Sequence, residues 1–144
     1  EKARVDQIFF QLSLSFFYQK NYKKALWWSN EILNDSKFKS RGDFMNTIKL
    51  FNLLIHFELG NDFTLEYISK STSNYLKKKN RFYEVEKLLI KFLTKHENYT
   101  TNNSVNKELH KLSTKLKFCK SDKYEVKAFQ YFDYLNWVKS KLKE

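Results

Sequence analysis

An all-α fold follows from three features of this 144-residue sequence: it holds 2 Gly, it holds no Pro, and its long stretches repeat apolar residues at three- and four-residue intervals. Chains this poor in Gly and Pro lack the turn punctuation that sandwiches and barrels need. No run alternates apolar and polar residues for six positions, so no strand is expected. Gly42 and Gly60 stand too far apart for a phosphate-cradling glycine loop. The length is that of one domain.

Seven amphipathic segments can be placed in order. The first covers about 3–19, with Val5, Ile8, Phe9, Leu12 and Phe16 on one face. A short Lys20-Asn21 turn leads to the second, about 22–34, with Ala25, Leu26, Trp28, Ile32 and Leu33. The third, about 42–59, is apolar almost all round, a profile that demands neighbours on both sides. Gly60-Asn61 then stops the helix, Gly supplying the left-handed residue that follows a last turn.

The fourth segment, about 63–79, is more polar, with Leu65, Ile68, Tyr75 and Leu76 as its expected buried stripe. The fifth covers about 81–96 on Phe82, Val85, Leu88, Leu89 and Phe92. Residues 97–104 make the longest loop, and Ser104 is the expected N-cap of a sixth helix, about 105–119, on Leu109, Leu112 and Leu116. Ser121 or Asp122 should cap a seventh, about 123–142, on Tyr124, Ala128, Phe132, Leu135, Val138 and Leu142. Helices joined by such short turns pack as antiparallel hairpins.

The first hairpin carries a pattern: Phe9, Leu12, Ser13, Phe16, Tyr22, Ala25, Leu26 and Ile32. It resembles the tetratricopeptide repeat, in which an aromatic, a Leu, a small residue and an aromatic precede Tyr-x-x-Ala-Leu. Small residues at Ser13 and Ala25 suit a close helix approach, and Phe9, Leu12 and Phe16 are expected to fill the core between the two helices. A shift of 41 residues sets Leu50, Leu53, Phe57 and Phe63 opposite Phe9, Leu12, Phe16 and Tyr22, with Leu54 and Glu66 in place of the small residues. The resemblance implies one TPR-like solenoid domain over 1–144, with hairpins at about 3–35, 42–79 and 81–119 and a capping helix at about 122–142.

Charge is lopsided, 27 Lys and Arg against 16 Asp and Glu, for a net +11. All but Arg4, Arg41 and Arg81 of the 27 are lysines. Readers of bases and phosphates favour arginine's planar fork, and the abundance of Lys, Asn, Phe, Tyr and Ile matches A/T-rich coding. Solvated faces are therefore the expectation, Lys107, Lys111 and Lys115 opposite Leu109, Leu112 and Leu116 among them. The basic run Lys77-Lys78-Lys79-Asn80-Arg81 falls at a helix C-terminus, where cations complement the helix dipole. The aromatics Trp27, Trp28, Phe129, Tyr131, Phe132, Tyr134 and Trp137 recur at helical spacing, as core residues do.

Chemistry is thin. His56, His96 and His110 fall in three segments without metal-ligand spacing, so no metal and no cofactor are expected. Cys119, the one cysteine, cannot form an intrachain disulfide, and it reads as a small buried hydrophobe near a helix end. Glu84 and Glu86 point to different faces. Asn52 and His56, at i and i+4 on an apolar helix, suit a hydrogen-bonded pair between packed helices. No enzyme is expected.

No apolar run approaches the roughly 18 residues of a membrane span. A cytoplasmic location is expected, and a chain opening on Glu rather than Met reads as the C-terminal part of a longer, bacterial-looking protein. The function expected is that of a non-catalytic scaffold. In tetratricopeptide repeats the first helix of each pair lines the concave surface, which places Gln7, Phe10, Leu14 and Phe17 on a peptide groove. Ile48, Phe51, Ile55 and Glu58 of the third helix continue it, with Asn52 and His56 beside them. This apolar groove suits a peptide or a helix, from another protein, an upstream segment of the same chain or a second copy. The alternative, from a different class, is a basic helical module for single-stranded RNA or DNA.

Overall fold

The computed structural model describes residues 5–35, 37, 42–79, 82–95 and 101–142. They form α1 (Val5–Tyr18), α2 (Tyr22–Asn34), α3 (Gly42–Leu59), α4 (Asp62–Lys78), α5 (Glu84–Lys95), α6 (Asn102–Ser121), a 3-10 helix (Glu125–Phe129) and α7 (Tyr134–Leu142). The fold is all-helical, with no strand among the described residues. Where one domain was expected, the chain divides into two compact units, Glu1–Ile68 and Ser69–Glu144, and α4 runs from the first into the second.

In the first unit α2 packs on α1 and on α3. Two turns of one design set the path. After α1, Lys20 adopts φ +62°, its N–H donates to Phe17 O at 2.9 Å, and the Asn21 N–H donates to Phe16 O at 2.8 Å. After α3, Gly60 adopts φ +73°, with Gly60 N–H to Phe57 O at 3.1 Å and Asn61 N–H to His56 O at 3.0 Å. Both are Schellman caps, which satisfy the last carbonyls of a helix. The Asn21 side chain then accepts from Lys24 N–H and opens α2.

The two caps lie 40 residues apart, which corrects the expected 41-residue register. In the corrected register Ser13 and Ala25 correspond to Leu53 and Leu65, all four buried. The Ser13 hydroxyl donates to Ala25 O at 2.7 Å, so the small pair lets α1 and α2 approach to hydrogen-bond distance. Two leucines leave no such room. The small-residue contact therefore belongs to the first hairpin alone.

In the second unit α6 packs on α5, on the 3-10 helix and on α7. The N-cap of α6 is Thr101, not Ser104: Thr101 Oγ1 accepts from Ser104 N–H, and Ser104 Oγ accepts from Thr101 N–H. Ser104 is the third helical residue of a capping box, in the place usually held by Glu or Gln. The Glu86 carboxylate accepts from Tyr83 N–H at 2.9 Å at the start of α5, while Glu125 reaches across to accept from Val85 N–H.

The seventh helix is not continuous. Asp122 Oδ1 accepts from the N–H groups of Tyr124 and Glu125 and turns the chain into the 3-10 helix. Asp133 Oδ1 then accepts from Asn136 N–H and starts α7 afresh. Two Asx caps 11 residues apart divide what apolar spacing alone joins into one helix. Helix α7 lies against α6.

Candidate functional site: the open face of the first hairpin

Helix α1 is apolar on two faces, and the structure exchanges their expected roles. Phe10 and Phe17, assigned to a peptide groove, are 3% and 5% exposed. The Phe10 ring meets Phe44 and Phe51 edge-on, each at 5.6 Å, and Phe17 stands 5.0 Å from Phe51. Phe51, Ile48 and Ile55 on α3 are fully buried. Of the expected groove, Gln7 alone is exposed and Leu14 is half-buried. These residues are core, because α3 brings its own aromatics against this side of α1. Burying each ring is worth about 1.5–3 kcal/mol.

Asn52 and His56, expected beside the groove, are interior as well, and the structure does not join them to each other. Asn52 Nδ2 donates to Ser29 Oγ and to Asn30 Oδ1, both at 3.0 Å, and so ties α3 to α2. His56 Nδ1 takes the Asn61 Nδ2 hydrogen at 3.1 Å, and burial pushes the His56 pKa down. The Tyr22 hydroxyl donates to Glu58 at 3.4 Å, across the turn side of the hairpin.

The stripe expected to be core is the one left open. Val5 is 38% and Ile8 57% exposed, and Phe9, Leu12 and Phe16 are only half-buried. On α2 the stripe is extended by Trp28, whose ring stands 5.0 Å from Phe9, and by Trp27, 4.8 Å from Trp28 and 55% exposed. The Lys24 ammonium lies 5.3 Å over the Phe16 ring. A cation over an aromatic face is attracted to the ring quadrupole and shields one edge of the stripe from water. The result is a continuous apolar surface across one hairpin with a basic margin.

The other candidates stand apart among the described residues. Cys119 is buried; burial pushes its thiol up, and the carboxylates of Glu125, Glu84 and Asp122 push it further in the same direction, away from the reactive thiolate. His110, on the same helix, is exposed. Glu84 is exposed and Glu86 buried, on the two faces expected. His96 lies outside the described residues, as do Arg4, Arg41 and Arg81. Among the described residues no three His, Cys, Asp or Glu side chains converge as a metal site, and no helix is long and apolar enough to cross a membrane. Comparison with protein-family models, curated proteins and solved structures gives no match.

Proposed function

We propose that the chain is a non-catalytic interaction module and that the open face of α1 and α2 receives an amphipathic helix of a partner protein. The observation that supports this is the exposure of Ile8 and Trp27, 57% and 55%, at the margins of a stripe with no fully buried member. Scattered surface apolars are ordinary, but seven on one hairpin face form a contiguous patch of the kind that marks an interface. Two antiparallel helices make a shallow trough, and a third helix laid along it buries apolar residues at i, i+3, i+4 and i+7. Lys24 at the margin favours acidic residues flanking that apolar face.

Selection of displayed peptides against the chain tests this. Amphipathic helical sequences with acidic flanks should be enriched, and a synthetic copy should bind with a Kd on the order of micromolar. Ile8→Asp and Trp27→Ala should each weaken binding at least tenfold, since aromatic and central apolar anchors dominate such interfaces. Both side chains are more than half exposed, so helicity should be unchanged. Enriched peptides indifferent to Ile8 and Trp27 rule the face out. Sedimentation that shows dimers of the native chain and monomers of Ile8→Asp assigns the face to a second copy.

A further inference from the structure

The charge is divided as unevenly as the chain. Ser69–Glu144 carries 18 Lys and Arg against 8 Asp and Glu, a net +10, while Glu1–Ile68 carries 9 against 8, a net +1. A coding bias toward lysine acts on both units alike and does not produce this difference. The second unit therefore needs its own explanation.

Its lysines are arranged along depressions of the surface. One open concavity, about 490 Å³, is lined by Ser73, Lys77, Phe82, Lys87 and Ile90. A second, of about 80 Å³, has Lys91, Lys111 and Lys115 around a floor of Leu88, Phe92 and Leu112. Lys87 and Lys91 are one turn apart on α5, so they link the two. Each of these five lysines is exposed. Carboxylates are sparse beside them: Glu108 pairs with Lys111 at 3.2 Å, and Glu84 stands one turn before Lys87. An exposed pair of that kind is weak and yields readily to a phosphate.

Two aromatic rings stand within this basic tract. Phe82 is half-buried in the first concavity with the Lys87 ammonium 5.3 Å from its ring. Phe118, 74% exposed, follows Lys115 by one turn on the same face of α6. A ring beside ammonium groups matches a base beside its phosphates.

We propose that the second unit binds single-stranded nucleic acid, its lysines tracking the phosphates and Phe82 and Phe118 stacking on unpaired bases. Lysine point charges neutralise phosphates without reading bases, whereas arginine's fork makes bidentate contacts to phosphates and base edges alike. A duplex hides its base faces and leaves the two rings without a partner. These residues belong to a different unit from the helix-binding face proposed above, and the test does not depend on that one.

Fluorescence anisotropy of the whole chain with a labelled oligothymidylate of about 20 nucleotides decides the matter, since site sizes of this kind are about 4–16 nucleotides. Binding should be on the order of micromolar at about 0.05 M salt. The slope of log K against log salt should be about −3, as for four or five neutralised phosphates on a single strand. Lys91→Ala with Lys111→Ala should weaken binding about tenfold and bring the slope nearer zero by about 1.4. Phe118→Ala should weaken binding about fivefold or more with the slope unchanged, because stacking releases no counterions. Lys23→Ala with Lys37→Ala, exposed in the first unit, should stay within twofold of the native chain. Absence of saturable binding at low salt overturns the proposal, as does an equal loss from the first-unit pair. Equal affinity for duplex, or preference for phosphatidylserine vesicles, shows a general anion surface and overturns it too. Indifference to Phe118→Ala removes the stacking role.

Discussion

Lys20 and Gly60 hold the same place in two Schellman caps, and only one of them is suited to it. A side chain in the left-handed region costs about 1–2 kcal/mol relative to Gly. Lys20→Gly should therefore stabilise the protein by about 0.5–1 kcal/mol in urea unfolding, the gain being reduced by the larger entropy of Gly in the unfolded chain. A loss of stability would show that the Lys20 side chain contributes more than its backbone costs. His56 sets a pH dependence. Its native pKa lies below the ordinary value of 6.5 because burial disfavours the imidazolium. The unfolded chain then binds the more protons, so this contribution is complete above pH 6.5 and falls as the pH drops from there through the native pKa. The thermal midpoint should decline below about pH 6.5, and in His56→Gln that part of the decline should flatten. An identical profile in the variant would assign the effect to other groups.

At the scale of the element, close approach and capping decide what spacing leaves open. Ala25 is fully buried where its carbonyl accepts the Ser13 hydroxyl. Ala25→Leu should overpack that contact and cost about 1–3 kcal/mol. An unchanged thermal midpoint would mean that α2 slides to make room. Asp133 begins α7 and is tied to α6 through Lys120 at 2.9 Å. Burial pushes its carboxyl up, but the Lys120 ammonium and the N–H groups of Asn136 and Leu135 outweigh it and hold the pKa below 3.8. The contribution is present above pH 3.8 and is lost as the pH falls through the native pKa. Asp133→Ala should cost about 0.5–2 kcal/mol near neutrality, with the loss concentrated in α7 as read by hydrogen exchange. Uniform loss of protection across the second unit would show that α7 and its supports open together.

Across the whole molecule, the two proposed surfaces differ in position and in kind: an aromatic face on the nearly neutral unit, a lysine tract on the strongly basic one. Substitutions with no shared partners act independently. Ile8→Asp should weaken helix binding at least tenfold and leave oligonucleotide binding within twofold, and Lys91→Ala with Lys111→Ala should weaken oligonucleotide binding about tenfold and leave helix binding within twofold. A chain carrying all three changes should show the sum of the separate losses. Titrating helix peptide against a saturating oligonucleotide checks the same point from the ligand side. Mutual exclusion there would place both ligands on one surface.

The class of the fold and most helix limits are legible in the order of residues, because both are local. Apolar spacing of three and four residues, Gly60 at a helix end and Asn21 at a helix start act through neighbouring backbone groups, and they set α2 and α3 where they were expected. The break between the 3-10 helix and α7 was also legible, in the side chains of Asp122 and Asp133. It was missed because apolar periodicity runs unbroken across it. Which face of α1 is interior depends on packing. Phe9, Leu12 and Phe16 form as apolar a stripe as Phe10, Leu14 and Phe17, and no local rule separates them. The side on which α3 lays Phe44 and Phe51 makes the second stripe core and leaves the first open. The grouping of lysines is tertiary too, since Lys91 and Lys115 are brought to one concavity by the packing of α5 on α6. Periodicity shows that a face is apolar or charged. Only packing shows what covers it.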